Sequence, residues 1–175
     1  MIDQDFSFTK IEHAGRLLVP HLLLFGLLVL NVVALPFLPT AALKPQFVLM
    51  AVYYWAIYRP TLLPIFFCFI IGLVMDVLSG MPPGIYALVL VTVHWLVREQ
   101  RRFLMGQPYS TIWAVFGVVS LVSVCVQWAL YGLSSAHWSP LLPVLSSGAL
   151  SLLLFPFVTL LLVVTHRMLP VASRR

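Results

Sequence analysis

Residues 68–84 read CFIIGLVMDVLSGMPPG, and this stretch places one carboxylate, Asp76, inside an otherwise apolar segment. In a helix, residues spaced four apart lie on one face, so the stretch predicts a narrow stripe of small or polar side chains. The stripe consists of Cys68, Gly72, Asp76 and Gly80. Gly80, two prolines and Gly84 then predict a tight turn, because they remove backbone donors and allow left-handed dihedrals. The stretch therefore predicts a helical hairpin with a polar spot near its tip.

The composition of the whole chain indicates that much of its surface faces lipid. Of the 175 residues, 62% are hydrophobic and only 9% are charged, with a mean hydropathy of +1.05. A water-soluble domain of this size cannot bury so many apolar side chains, so the surplus must face a bilayer. The sequence thus predicts an all-α integral membrane protein. The formal net charge is +5, but the basic residues are scattered between apolar runs, which argues against nucleic acid as a partner.

The apolar runs predict a bundle of six transmembrane helices. The predicted spans cover residues 17–38, 42 or 45 to 58, 61–79, 84–98, 109–132, and 140 or 143 to 167. The second span is short for a bilayer, so it either lies straight, thins the membrane or fails to cross it. We expect three parts: a cytoplasmic N-terminal segment at 1–16, a six-helix domain at 17–167 and a cytoplasmic basic tail at 168–175.

The distribution of positive charge predicts the orientation of the bundle. With six spans and the N-terminus inside, nine of the ten Lys and Arg residues are cytoplasmic and only Lys44 is outside. Positive charge concentrates on the cytoplasmic side of membrane proteins, so we expect both termini there. The basic cluster of Arg98, Arg101 and Arg102 then lies at the inner headgroups, where it either fixes topology or receives an acidic cytoplasmic partner.

Several polar residues fall at similar depths in the outer half of the predicted bundle. At about 1.5 Å per residue, Asn31 lies about 10 Å deep, Gln127 about 9 Å and Asp76 about 6 Å. These depths predict a single polar recess, although helix packing is the alternative for Asn31 and Gln127. For Asp76 the alternatives are a functional or partner contact and a structural cap. The candidate residues of the partner-binding face or recess are Gly72, Asp76, Ser79, Gly80, Gly84, Asn31, Tyr86 and Gln127.

The sequence contains no recognisable catalytic constellation. It has no Ser-His-Asp set at matching depth, no glycine-rich phosphate loop and no paired acids. The five histidines have no metal-ligand spacing with each other or with carboxylates. We therefore expect a non-enzymatic protein without a cofactor or a metal.

Two segments carry a resemblance to a known family. PQFVLMAVYYW at residues 45–55, and the pattern G-x-x-x-D-x-x-S-G from Gly72 to Gly80 followed by Gly84, resemble the MreD family of bacterial rod shape-determining membrane proteins. Pro82 and Pro83 depart from the family's pattern in the turn. In span arrangement the family is also similar to the substrate-binding subunits of energy-coupling-factor transporters, which implies the same six-helix architecture.

The resemblance implies a non-catalytic adaptor in the inner membrane. Such a subunit binds MreC and links MreB filaments to peptidoglycan synthesis and cell-shape control, with RodA and the elongation penicillin-binding transpeptidase as further members of the complex. Membrane lipids surround it, and self-association into a homo-oligomer is left open.

Two hypotheses about function follow. In the first, the stripe of Gly72, Asp76 and Gly80 docks a partner helix, with close packing at the glycines and specificity from the carboxylate. In the second, the outer recess binds a small molecule or a lipid precursor beneath the loop at 133–140, where His137 and Trp138 act as lid residues. A ligand-binding recess should carry several polar groups in its outer loops, but the loop between Gly80 and Gly84 is only Met81, Pro82 and Pro83, which favours the adaptor.

Overall fold

The computed structural model describes residues 19–31, 44–136 and 138–168, with the side chains described as far as Thr165. Within these ranges the chain forms six helices and no strand, which confirms the all-α prediction. The helices are α1 (Val19–Asn31), α2 (Phe47–Tyr58), α3 (Ile65–Ser79), α4 (Ile85–Leu104), α5 (Tyr109–Ser135) and α6 (Leu141–Met168). The predicted segment 1–16, His137 and all of the predicted tail beyond Met168 lie outside the described residues.

Two of the described helices, α5 and α6, are long and apolar enough to cross a membrane by length and composition. The apolar helices α1, α2 and α3 are shorter. The third element begins at Ile65 and not at the predicted Thr61, because Pro64 disfavours a helical backbone at the residue before it. In contrast, α4 continues to Leu104 and so includes the basic cluster, which is helical.

The short helix α2 forms the centre of the bundle. Eleven of its twelve residues, Phe47 to Ile57, are buried, and α4, α5 and α6 pack around it. A helix that is apolar on every side is stable only when neighbours surround it. Because α2 is shielded from lipid, its length of about 18 Å need not match a hydrocarbon core of about 30 Å. Central burial thus makes a helix shorter than the hydrocarbon core possible here.

Aromatic rings join α2 to the two long helices. Tyr53 contacts Phe116 of α5 and Phe155 of α6 edge to face, at ring-centroid distances of 5.2 and 5.8 Å, and these two rings stack at 4.1 Å. The Tyr53 hydroxyl donates a hydrogen bond to the Ile112 carbonyl at 3.0 Å. The one polar atom of this aromatic cluster is therefore satisfied, as burial among apolar groups requires.

The long helices are connected at the proline inside α6. Pro156 has no N–H, so the carbonyl four residues earlier, that of Leu152, lacks its usual helical donor. The Trp113 indole of α5 donates to this carbonyl at 3.0 Å. In a membrane a neighbouring helix must satisfy such a group, and here it fixes the register of α5 on α6.

Candidate functional site

The hairpin predicted at residues 68–84 is formed by α3 and α4, and glycines with positive φ build its turn. Gly80 has φ 65° and Gly84 has φ 107°, a region that side-chain-bearing residues rarely adopt. The Gly80 amide donates to the Val77 carbonyl at 3.3 Å, and the Met81 amide donates to the Asp76 carbonyl at 3.0 Å. This pair of bonds is the Schellman motif, which closes the C-terminus of α3.

The Asp76 side chain closes the N-terminus of α4. It is fully buried, and its carboxylate accepts hydrogen bonds from the amides of Gly84 and Tyr86, both at 2.8 Å, and of Ala87 at 3.4 Å. The first amides of a helix have no acceptor within the helix, and its dipole favours negative charge at that end. Of the two alternatives for Asp76, the geometry is that of the structural cap.

The glycine stripe of α3 faces α4 of the same chain. A Cβ atom built on Gly72 would lie 2.2 Å from the Cα of Ala87, so the two helices are in backbone contact at this point. Cys68, Gly72 and Asp76 are all buried, while Ser79 is half-buried and Gly80 is exposed at the turn. The face that the sequence offers for docking a partner helix is therefore occupied by α4.

A cavity of about 310 Å³ lies at the end of the bundle that contains the hairpin turn, opposite Arg98, Arg101 and Arg102. We call this cavity the polar recess. Its polar lining comes from five segments and includes Asn31, Lys44, Gln46, Tyr86, Gln127 and Ser147. Three of the predicted recess residues, Asn31, Tyr86 and Gln127, are thus brought together here, whereas Gly72 and Asp76 are not part of the lining.

The segment that precedes α2 forms one wall of the polar recess. The Gln46 amide donates to the Ser151 hydroxyl at 2.9 Å, and the Ser147 hydroxyl donates to the Lys44 carbonyl. The Gln46 side-chain amide donates to Oε1 of Gln127 at 3.4 Å, a long contact for a hydrogen bond. These bonds attach the start of α2 to α5 and α6.

One buried polar atom in this wall lacks a hydrogen bond. Gln46 is 6% exposed, and its Oε1 has no partner within the described part of the chain. Gln46 also lines a smaller void of about 10 Å³ that continues the recess inward beside Asn31, Tyr86 and Gln127. A buried acceptor without a donor costs free energy, and among the described residues the ring nitrogens of the buried His94 share this condition.

The sequence-based prediction omitted Lys44 and Gln46 from the recess. Two signals were available: Lys44 is the only basic residue on the predicted outer side, and Gln46 is a polar residue directly before an apolar run. Both residues precede α2, and the sequence does not reveal that this helix lies at the centre of the bundle.

The connection from α5 to α6 packs beside the polar recess. The Trp128 indole donates to the Ser139 carbonyl at 2.9 Å, and the rings of Trp128 and Trp138 lie 4.8 Å apart. A Cβ on Gly132 would lie 2.7 Å from the Trp138 ring, so this glycine leaves space for the indole. Trp138 therefore lies against α5, and its role as a lid stays a prediction.

The basic cluster divides into two kinds of residue. Arg101 is half-buried, and its Nε donates to the Ile57 carbonyl at 2.6 Å, at the end of α2. The last carbonyls of a helix lack donors, and its dipole favours a cation there, so Arg101 caps the central helix. Arg98 and Arg102 are exposed. Among the described residues, no group of three His, Cys, Asp or Glu residues is arranged to hold a metal ion.

These features define an all-helical protein with membrane-capable helices, a self-capped hairpin and a polar recess. The family model for rod shape-determining protein MreD matches residues 12–164, and the chain belongs to this family. It is similar to the rod shape-determining protein MreD of Haemophilus influenzae, with 29% identity over 125 residues, which cover 69% of this chain and 74% of the relative. Comparison with solved structures finds no match.

Family membership confirms the resemblance drawn from the two sequence segments. Membership supports a role for this chain in determining rod shape, and the family consists of membrane proteins. The family is not known for catalysis. The matched region begins before α1 and ends within the last turns of α6, so it includes both the hairpin and the polar recess.

Proposed function

We propose that this protein is a non-catalytic adaptor of the cell-elongation complex in the bacterial inner membrane. It binds MreC directly and connects MreB filaments to peptidoglycan synthesis by RodA and the elongation penicillin-binding transpeptidase. The observation that carries this proposal is the family match over residues 12–164, because it covers the bundle as a unit.

The proposal includes six membrane crossings with both termini in the cytoplasm. The helices alternate in direction along the chain, and the arginines at the end of α4 lie opposite the polar recess. A cytoplasmic position for this basic end agrees with the preference of Lys and Arg for the inner side. Arg98 and Arg102, which are exposed, are then available to acidic cytoplasmic partners or lipid headgroups.

The docking surface that we propose is the outward face of α3, since α4 covers its glycine stripe. The outward side chains include Phe66 and Val77, which are 69% and 76% exposed. The contacts at Asp76, Gly80 and Gly84 hold α3 on α4. The outward face of α3 is therefore already ordered, and a partner helix that binds it loses no free energy to ordering this face. A single transmembrane helix of MreC fits such a face by ridge-and-groove packing.

Copurification of MreC with tagged variants tests both the partner and the surface. We expect Val77→Trp to reduce the recovered MreC by about tenfold, because overpacking a packed face costs ~1–3 kcal/mol. The matched control is Val122→Trp on α5, a valine that is 55% exposed on a different helix, and it should leave recovery unchanged. Equal recovery with both variants would place the interface elsewhere, and failure of the wild-type protein to recover MreC would reject the adaptor function.

A second candidate function is favoured by the polar recess itself. A cavity of about 310 Å³ that is mostly apolar and contains a few convergent polar groups has the character of a small-molecule site. This candidate is a binding subunit for a small molecule or a lipid precursor, in keeping with the proposed likeness to energy-coupling-factor substrate-binding subunits. It is compatible with the adaptor function, because the recess and the outward face of α3 are separate surfaces.

A further inference from the structure

The polar recess presents one unpaired acceptor. Oε1 of Gln46 is buried and has no hydrogen-bond partner in the described ranges, although Gln46 lines the recess. In this orientation of the carboxamide, the Gln46 side-chain amide makes its long contact with Gln127 and the oxygen has no donor. A ligand that matches this atom must bring a donor, such as a hydroxyl group or an N–H group.

The recess also presents one cation. Among the described residues, Lys44 is the only charged side chain in its lining, and it is exposed. The Asp76 carboxylate of the hairpin is not part of the lining; it is buried and accepts hydrogen bonds from three amides of the hairpin. A lysine ammonium at the margin of an apolar cavity attracts an anionic group, and phosphate is a usual partner.

The remaining wall and the size restrict the ligand further. Met81, Val124 and Val144 give the recess apolar contacts. A volume of about 310 Å³ is near the lower limit for ligand pockets, so a compact headgroup fits and a whole lipid does not. Lys44 and Gln46 both line the recess from one segment, so a ligand there meets a cation and an acceptor.

We propose that the polar recess binds a phosphate-bearing headgroup that carries a hydroxyl group, of the phosphoglycerol type. Lys44 pairs with the phosphate, Oε1 of Gln46 accepts the hydroxyl hydrogen, and the acyl chains of the ligand stay in the bilayer. This inference rests on the second candidate function, the binding of a small molecule or a lipid precursor, and it names the chemical class of that ligand.

The same headgroup chemistry has two sources, a membrane lipid and a soluble phosphorylated polyol. The full-length protein is placed in phosphatidylcholine nanodiscs that contain a minor share of phosphatidylglycerol, and the lipids retained per chain are counted by native mass spectrometry. Phosphatidylmethanol is the matched probe, since it has the same charged phosphate diester without the hydroxyl groups. Glycerol 3-phosphate, added without lipid chains, tests the soluble source.

For the wild-type protein we expect retention of one phosphatidylglycerol, about fivefold tighter than phosphatidylmethanol, and no retention of phosphatidylcholine. Lys44→Met should weaken phosphatidylglycerol binding by about tenfold, while Lys44→Arg preserves it. Gln46→Leu should abolish the difference between phosphatidylglycerol and phosphatidylmethanol, because it removes the acceptor. Binding of glycerol 3-phosphate alone would support the same chemistry with a soluble ligand.

Other outcomes distinguish a failure of this inference from a failure of the second candidate function, the binding of a small molecule or a lipid precursor. Equal retention of phosphatidylcholine and phosphatidylglycerol would overturn the headgroup assignment but leave a lipid-binding recess. Retention that Lys44→Met does not change would likewise reject the assignment. If the recess retains none of these probes and no other small molecule copurifies, both the inference and the second candidate function fail, whereas the adaptor function is judged by MreC recovery alone.

Discussion

The hairpin turn and the polar recess lie at the same end of the bundle but differ in how completely their polar groups are hydrogen-bonded. At the hairpin, the Asp76 carboxylate accepts three amides and the end of α3 is closed by two further bonds. In the recess, Oε1 of Gln46 has no partner among the described residues and Lys44 is exposed. An unpaired polar group in a membrane is costly, so the complete pairing at the hairpin indicates a structural role. In the recess, the unpaired oxygen of Gln46 lies beside a cavity and an exposed lysine, and the three features together make the recess the candidate site.

Removal of the Asp76 carboxylate should have the largest effect on stability. Asp76→Ala leaves the amides of Gly84, Tyr86 and Ala87 without their acceptor in a buried position. We expect a loss of at least about 3 kcal/mol in the free energy of unfolding in detergent micelles, because hydrogen bonds to a charged group contribute ~1.5–3 kcal/mol each. Asp76→Asn keeps one acceptor oxygen and should fall between the alanine variant and the wild type.

This result also decides how a loss of function at Asp76 is interpreted. If Asp76→Ala unfolds at the same denaturant concentration as the wild type, the carboxylate does not stabilise the start of α4. The hairpin and the polar recess would then not differ in the structural importance of their polar groups. If it is destabilised as expected, a failure to recover MreC with this variant reports on the fold of the hairpin and not on a direct contact.

The second-largest effect should come from the closest approach of α3 and α4. In Gly72→Ala the added Cβ meets the Ala87 backbone at 2.2 Å, so the helices must separate, and we expect a destabilisation of ~1–3 kcal/mol. Gly26→Ala is the matched control, since a Cβ there meets nothing within 4 Å, and it should be neutral or slightly stabilising. Thermal unfolding of both variants in the same detergent gives the comparison.

The contact between Gly72 and Ala87 also predicts whether a second substitution, at Ala87, can restore the stability that Gly72→Ala loses. The nearest atoms to the added methyl group are the Cα and the amide nitrogen of Ala87, and its side chain is farther away, at 3.0 Å. Ala87→Gly should therefore fail to rescue Gly72→Ala. A full rescue would mean that side chains and not backbones meet at this crossing.

Sequence reasoning predicted the hairpin well because its causes are local. Gly80 and Gly84 supply the left-handed dihedrals, and Asp76 lies only eight residues before Gly84, the first amide that its carboxylate caps. The predicted start of α3 at Thr61 was wrong, because Pro64 disfavours a helical backbone at the residue before it and the helix begins at Ile65. A glycine stripe accommodates a helix from the same chain or from another equally well, so the sequence did not reveal that α4 covers Gly72.

The polar recess was predicted only in part because it is a tertiary feature. Axial depth predicted that Asn31 and Gln127 share a level and that Tyr86 also lies in the outer half of the bundle, and all three line the cavity. Depth does not give rotation about a helix axis or the position of a helix in the bundle. Gln46 enters the recess because α2 is central, and an apolar run of twelve residues has the same composition whether it lies in the centre or at the edge.

The smallest effect on stability should come from the unpaired group itself. Gln46→Leu removes an oxygen without a partner and a hydrogen bond of 3.4 Å, while the backbone bond to Ser151 remains. We expect the free energy of unfolding to change by less than about 1 kcal/mol, because a long bond contributes little and an unsatisfied acceptor costs free energy. Measured beside Asp76→Ala, this variant tests the contrast directly. A loss as large as that of Asp76→Ala would show that the recess is paired and structural, whereas a near-neutral change would show that folding does not require the Gln46 side chain.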